Sequence, residues 1–522
     1  MKSRFSKSIL ADWKVLAICF SLGYIVRLIP ELLAWPLPIG WDTVYYAFVI
    51  KSGVVWPDWS SFFTLSWLFN AFIVALHSLV QVDPFVILKI VAPLLFGLNV
   101  AGVYWFARKI LGWNLRMSIL AGAFFSLQLA SLRIGWDLLR NTFGLGILLF
   151  TLVYSKKVNS RRGFAAFALL SFLCVFAHEY AATILFVSIL GWGIWNLVRG
   201  RTDLVNKRIV LGVIPAAVLF LVGLVLRSFS VQPVTNVVET GDAVTARLGN
   251  LFFLVNYLQI QTPVDSYANY FELLSNVLLL FVVLFLPYFV LVLRGFFRNS
   301  ILDSWTILLL VGAFGCLVVP FFALEYWQRW MFMLVYPFTF YSVNGLKKVS
   351  SEFCEGRTKL SSWLTKKKAM AMLFLTVGLG VSYLATPFLM TYSTTYSTSL
   401  PSLTFTSRYF SVSPSVPYKD VYSVEQASVW LDKNMTPDSA VILHHAFLFW
   451  GELYLKNSQA IVTFDFDADL AASKAFTMGY SKVFFLWWNT SPGWFEVSTP
   501  KGFKVVQSYD SISIYECEVD GS

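Results

Sequence analysis

Long apolar runs recur along the 522-residue chain and leave little freedom in the choice of fold. A helix needs roughly 20 apolar residues to cross a bilayer, because each residue rises about 1.5 Å. About eleven runs approach this length, at residues 11–30, 85–107, 117–135, 139–155, 164–178, 179–198, 209–228, 273–293, 305–323, 329–346 and 369–390. We therefore expect a polytopic α-helical membrane protein with about 11 transmembrane helices.

The composition and the distribution of charge support this class. Hydrophobic residues make up 57% of the chain and charged residues 13%, and the mean hydropathy is +0.67. The net charge of +11 is uneven, because the tail after Thr391 holds 13 acidic and 8 basic residues. The basic surplus lies in short loops between apolar runs, which is the positive-inside pattern and not a nucleic-acid footprint. We expect the lipid bilayer as a partner, and no nucleic acid.

The same charge rule predicts the orientation. If the apolar stretch Ser61–Val80 does not cross, all the strongly basic loops fall on the side of the N-terminus, so we predict a helix lying at the outer surface. The N-terminus is then cytoplasmic. We expect the first apolar run to remain in the protein as a span, because it lacks the small-residue cleavage site of a signal peptide. Outer loops are expected at 31–84 and 230–272. We expect a multi-pass protein of the cell membrane.

The tail after the last span has a different character and is expected to be extracytoplasmic. We predict a membrane domain over 1–391, a Ser/Thr/Pro-rich linker over 392–417 and a small α/β domain over 418–522. The predicted elements are helix 424–435, strand 439–445, helix 447–455, strand 460–465, helix 469–480, strand 482–488 and a closing hairpin over 503–517.

Two Gly-Trp-Asp segments place carboxylates at predicted outer ends of spans, where charged groups are candidates for function. Asp42 lies in PIGWDTVYYAF beside Tyr45, and it could also serve only as a helix N-cap. Asp137 lies in RIGWDLLRNTFGLG, within about two helical turns of Arg133 and Arg140. The alternative for this second segment is an interfacial ion pair.

Two further groups fall on the same predicted face. His178 and Glu179 follow span five, and the histidine could bind a phosphate or be an ordinary interfacial residue. Glu325 and Arg329 lie in LEYWQRWMF, where the arginine could bind a phosphate or anchor the chain at the interface. The convergence of all four groups on one face favours a site.

The order of these features resembles the GT-C superfamily of lipid-phospho-sugar-dependent glycosyltransferases, which includes protein mannosyltransferases, aminoarabinose transferases and oligosaccharyltransferase catalytic subunits. IGWDTVYYA is similar to the first-loop Asp motif of that family, and RIGWDLLRNTFGL to the second-loop pattern. The resemblance implies an inverting glycosyltransferase that moves a sugar from a polyprenyl (dolichyl-type) phosphate to an acceptor hydroxyl at the outer face. The acceptor would be a glycan, a lipid or a protein.

The resemblance also implies roles for the candidate residues. Asp42 and Asp137 would be catalytic, and the donor phosphate would be bound by Arg329, Arg140 and His178. Supporting roles would fall to Glu179, Glu325 and Tyr45. Metal dependence stays open, because the first loop has a single Asp where the family has a pair. If a divalent cation, Mg²⁺ or Mn²⁺, is bound, Asp42 and Asp137 are the candidates to hold it.

Two other classes of protein are compatible with the sequence. A transporter or lipid flippase would also be polytopic, but internal repeats and charges near the midplane are more typical of transporters. A non-catalytic scaffold of a glycan-assembly complex would tolerate neutralisation of Asp42 and Asp137.

Overall fold

The computed structural model describes residues 2–55, 66–200, 207–229, 237–238, 270–318, 327–354, 366–387, 410, 413–456, 460–464, 467–489 and 497–518. Within these ranges a bundle of long helices is followed by a small sheet flanked by helices. The helices of the bundle are α1 (Lys2–Leu33), α2 (Thr43–Ser52), α3 (Leu68–Val80), α4 (Pro84–Lys109), α5 (Leu115–Ser126), α6 (Leu129–Asp137), α7 (Leu139–Tyr154), α8 (Arg161–Ala177), α9 (Glu179–Val198), α10 (Lys207–Phe229), α11 (Tyr270–Gly295), α12 (Ser300–Phe314), α13 (Trp327–Met333), α14 (Val335–Cys354) and α15 (Lys366–Leu384).

The chain is a polytopic membrane protein. Seven described helices are long and apolar enough to cross a membrane, and α5 with α6 makes an eighth if this bent pair is one span. The predicted crossings at 139–155 and 164–178 are also helical, but α7 and α8 have 16 and 17 residues. The predicted crossing at 329–346 is divided between α13 and α14.

Helix α3 corresponds to the apolar stretch that was expected to stay at the surface. Its 13 residues extend about 20 Å, which is shorter than the roughly 30 Å hydrocarbon core. The next helix, α4, has a well-defined start, because the Asp83 carboxylate accepts the Phe85 N–H at 2.8 Å and Pro84 occupies the first turn. Helix α4 then packs along α1 over much of its length.

Helices α5 and α6 meet at a bend of 62° around Leu127 and Gln128. The Gln128 side chain donates to the Thr339 hydroxyl at 2.6 Å, which ties the bend to α14. Helix α15 approaches the bend at Gly380, where a Cβ atom would lie only 2.0 Å from the Leu127 carbonyl oxygen. After the bend, the short helix α6 ends at Asp137.

The tail forms the α/β pattern predicted from its sequence. Its elements are α16 (Val421–Asn434), β2 (Ser439–His444), α17 (His445–Tyr454), β3 (Ile461–Phe464), α18 (Ala468–Thr477), β4 (Lys482–Trp488), β5 (Lys504–Tyr509) and β6 (Ile512–Glu518). The strand order is β1-β3-β2-β4-β6-β5, with β2, β3 and β4 parallel and the β5–β6 hairpin antiparallel. Strand β1 (Val237–Val238) comes from the loop predicted at 230–272 and pairs with β3.

The sheet domain contacts the membrane domain through α17, which packs on α2. The Tyr45 and Phe449 rings are 5.1 Å apart, and Lys51 donates to the Leu453 carbonyl at 2.6 Å. The Trp41 ring lies nearly parallel to that of His445, with centroids 6.1 Å apart. The segment around Asp42 is therefore bordered by the C-terminal domain.

Two glycines, Gly295 and Gly345, lie at a close crossing between α11 and α14. A Cβ atom at Gly345 would lie 2.2 Å from the Leu291 carbonyl oxygen. We predict that Gly345→Ala lowers the free energy of unfolding by about 1–3 kcal/mol, because backbone and not a flexible side chain must move. Thermal unfolding in detergent micelles measures this change.

The matched control is Gly193→Ala in α9, where nothing lies within 4 Å of an added Cβ atom. Alanine is the better helix former by about 0.5–1 kcal/mol, so this variant should not lose stability. Equal unfolding temperatures for the two variants would contradict the close crossing.

Candidate active site at the ends of α1, α6 and α7

The two Gly-Trp-Asp segments lie against each other. Gly40 has a φ of +85°, and a Cβ atom there would lie 2.4 Å from the Asp137 Cβ atom. The Trp41 N–H donates to Asp137 Oδ2 at 3.1 Å. Glycine is required at position 40 both for its left-handed backbone and for this approach. The loop after α1 is thus fixed on the end of α6.

Asp137 is the last residue of α6 and is almost completely buried, at 2% exposed. Its Oδ1 atom forms an ion pair with Arg133, one helical turn earlier. The Arg133 guanidinium also lies over the Phe332 ring of α13, at 5.5 Å from the centroid. Both carboxylate oxygens of Asp137 therefore have partners, which keeps a buried charge stable.

Asp42 is at the N-cap position of α2, as the alternative interpretation expects, but its side chain makes no capping hydrogen bond. Removal from water is the largest cause of a rise in the pKa of Asp42 to about 6, and the Asp137 carboxylate adds to it. Three guanidinium groups act in the opposite direction, those of Arg329, Arg140 and Arg133. A carboxylate with this pKa can accept a proton near neutral pH.

The arginines that act on the pKa of Asp42 lie on different helices. Arg140 lies in the first turn of α7, with its guanidinium 5.7 Å from the centroid of the Tyr45 ring. Arg329 lies in α13 and is half-buried. The structure therefore brings together Asp42, Asp137, Tyr45, Arg140 and Arg329 from the sequence-predicted set.

His178 and Glu179 mark the break between α8 and α9. His178 is the N-cap of α9, since its Nδ1 atom accepts the Tyr180 N–H at 3.1 Å. The Tyr180 ring lies 4.9 Å from that of His178 and 4.7 Å from that of Trp330, the neighbour of Arg329. A phosphate-binding role for His178 stays a prediction, as does a supporting role for Glu179. Glu325 lies outside the described residues.

Three contributors were missed by the sequence analysis. Arg27 and Glu31 form an ion pair in α1, and the rule that charges within spans are functional candidates would have identified them. His445 reaches the Asp42 segment only through domain docking, for which the sequence has no local signal.

The divalent cation expected at Asp42 and Asp137 stays a prediction, and it would compete with the present partners of Asp137. Asp137 already uses one oxygen for Arg133 and the other for the Trp41 N–H. Among the residues that the structure describes, no group of three or more His, Cys, Asp and Glu side chains could hold a metal ion. The surrounding guanidinium groups favour an anion instead.

Comparisons with known proteins agree with this architecture. No family model and no curated protein matches the sequence. Among solved structures, the chain is similar to the arabinofuranosyltransferase AftD from Mycobacteria, with a TM-score of 0.51 and 12% identity over 97% of this chain and 40% of that one. An oligosaccharyltransferase from Archaeoglobus fulgidus, solved with zinc and sulfate, matches with a TM-score of 0.48 and 12% identity over 90% of this chain and 67% of that one.

This chain thus spans well under half the length of AftD. At such identity the likeness concerns the fold alone. It extends over nearly the whole chain, including both the helical bundle and the sheet domain. The chain therefore has a fold similar to that of this arabinofuranosyltransferase.

Proposed function

We propose that the protein is an inverting glycosyltransferase that moves a sugar from a polyprenyl (dolichyl-type) phosphate to an acceptor hydroxyl at the outer membrane face. The observation that carries the proposal is the position of Asp42, a carboxylate with a raised pKa next to several guanidinium groups at the ends of membrane helices. A lipid-linked anionic donor needs such a place, where apolar helices end near positively charged side chains.

In the proposed reaction Asp42 is the general base. Its carboxylate takes the proton of the acceptor hydroxyl while the oxygen attacks the anomeric carbon of the donor sugar. The bond between that carbon and the phosphate oxygen breaks, and polyprenyl phosphate leaves with the electron pair. The configuration at the anomeric carbon inverts because the attack is a single displacement.

Arg140 and Arg329 would stabilise the leaving phosphate, with His178 as a further candidate. Guanidinium groups suit this role because they stay charged and donate paired hydrogen bonds to phosphate oxygens. Charge develops on the bridging oxygen during bond cleavage, so fixed positive groups lower the barrier. Asp137 would orient the cluster through Arg133 and the Trp41 N–H.

We assign acceptor binding to the C-terminal domain. Helix α17 borders the Asp42 segment through His445 and Phe449, which contact Trp41 and Tyr45. An acceptor bound against α17 would lie beside the general base. A glycan, a lipid or a protein with a free hydroxyl would suit this place.

A transporter or lipid flippase is the second candidate, favoured by one observation. The bend of 62° between α5 and α6 is typical of discontinuous helices in transporters. A transporter would move the sugar lipid intact, whereas a transferase cleaves it, so product analysis separates the two functions.

Replacement of the proposed base tests the function directly. We expect Asp42→Asn to lower sugar transfer by about 10²- to 10⁴-fold, because an amide cannot accept the proton. Release of sugar from radiolabelled polyprenyl-phosphate sugars by the protein in proteoliposomes measures the change. Asp83→Asn is the matched control, since Asp83 is an exposed N-cap and asparagine caps equally well. Equal turnover by the two variants would exclude Asp42 as the base.

The pH dependence of kcat/KM gives a second test. Because the carboxylate must be deprotonated, we expect the rate to fall about tenfold per pH unit below a midpoint near the Asp42 pKa of about 6. The donor is a phosphodiester and keeps its charge in this range.

Two variants should move this midpoint in opposite directions. Asp137→Asn removes a negative charge that raises the pKa of Asp42, so the midpoint should shift to lower pH. Arg140→Gln removes a positive charge that lowers this pKa, so the midpoint should shift to higher pH. Shifts of the same sign, or a wild-type midpoint near pH 4, would contradict the assignment.

A further inference from the structure

A buried network of three charged side chains lies beside the candidate site. Arg27 and Glu31 are one turn apart in α1, and Lys89 comes from α4. Glu31 pairs with Arg27 at 2.9 Å and with Lys89 at 3.2 Å. The exposed fractions are 0% for Arg27, 4% for Glu31 and 5% for Lys89. Burial of three charges within membrane helices is costly and calls for a function.

The Arg27 guanidinium contacts more than its acidic partner. Its Nε atom donates to the Gly135 carbonyl at 2.7 Å, and Nη2 donates to the Trp136 carbonyl at 2.8 Å. The guanidinium carbon lies 5.2 Å from the centroid of the Trp136 ring. These carbonyls belong to the last turn of α6, where helix geometry provides no intrahelical partners. Arg27 therefore closes the end of the helix that carries Asp137.

Asp137 follows these two carbonyls directly and accepts the Trp41 N–H at 3.1 Å. Two hydrogen bonds, the backbone of the last turn of α6 and the Asp137 side chain thus connect Arg27 to the residue next to Asp42. Lys89 has a different role, because it contacts the carboxylate and the carbonyl oxygen of Glu31. Lys89 balances the charge of Glu31, whereas Arg27 holds α6.

We propose that Arg27 is a positioning residue, which fixes the end of α6 so that Asp137 holds the Trp41–Asp42 segment in its reactive position. This inference rests on the proposed function for its effect on catalysis. The effect of Arg27 on the position of the Trp41–Asp42 segment does not depend on sugar transfer. A displacement of about 1 Å at a reacting group can lower a rate by about a hundredfold.

Arg27→Met and Lys89→Met form a matched pair. Each removes one positive charge from Glu31 and leaves the other, but only Arg27→Met removes the bonds to Gly135 and Trp136. We expect the Trp41 amide proton to exchange with deuterium faster in Arg27→Met and at the wild-type rate in Lys89→Met. Hydrogen–deuterium exchange on peptides that cover 36–43 measures this difference.

The kinetics provide the second measurement. Arg27→Met should lower kcat about a hundredfold with little change in the KM of the sugar lipid, because ground-state binding is retained. Arg27→Lys keeps the charge for Glu31 but lacks the planar fork, so its kcat should lie between those of Arg27→Met and the wild type. This variant also keeps the test available if Arg27→Met does not fold.

Several outcomes would overturn the proposal. Equal exchange of the Trp41 amide in Arg27→Met and Lys89→Met would mean that the network acts only on stability. A kcat equal to that of the wild type in both Arg27→Lys and Arg27→Met would likewise mean that the network acts only on stability. If the wild type itself transfers no sugar, the proposed function fails, and the exchange measurement alone then decides whether Arg27 positions Asp42.

Discussion

The hydrogen bond from the Trp41 N–H to the Asp137 carboxylate connects the parts of the site that come from distant positions in the chain. It joins the loop after α1 to the end of α6, and Gly40 allows the two backbones to approach. Asp42 follows directly and comes close to guanidinium groups from α6, α7 and α13. This contact fixes the position of the Trp41–Asp42 segment relative to the Asp137 carboxylate.

Charge balance explains why so many ionisable groups can lie together at the ends of apolar helices. An isolated carboxylate in such a place would be strongly destabilised, whereas an ion pair with further hydrogen bonds is tolerated. Asp137 is paired with Arg133, and Glu31 with Arg27 and Lys89. Asp42 has an arginine-rich environment instead, and removal from water still raises its pKa. A carboxylate with a raised pKa and several guanidinium groups are thereby combined.

Breaks in helices place these groups. Helix α6 ends at Asp137 and α7 begins two residues later, while α8 ends just before His178. A helix terminus leaves backbone groups without intrahelical partners, so polar side chains are recruited there. His178 supplies one such partner to the Tyr180 N–H, and Arg27 supplies two donors to the end of α6. Fixed helix ends, and not long flexible loops, hold the described part of the site.

The sequence by itself determined the membrane class, the helical segments, the α/β pattern of the tail and the pair of Gly-Trp-Asp segments. These properties are local, since apolar length, strand periodicity and turn residues act over about 20 residues or fewer. It also led to Asp42, Asp137, Arg140 and Arg329, because charges are rare in apolar surroundings. Only the tertiary structure decided that Arg27 closes α6, that α17 lies beside Asp42 and that the Asp137 oxygens are committed to Arg133 and Trp41. These contacts join residues far apart in the chain or depend on side-chain direction, which no local pattern encodes.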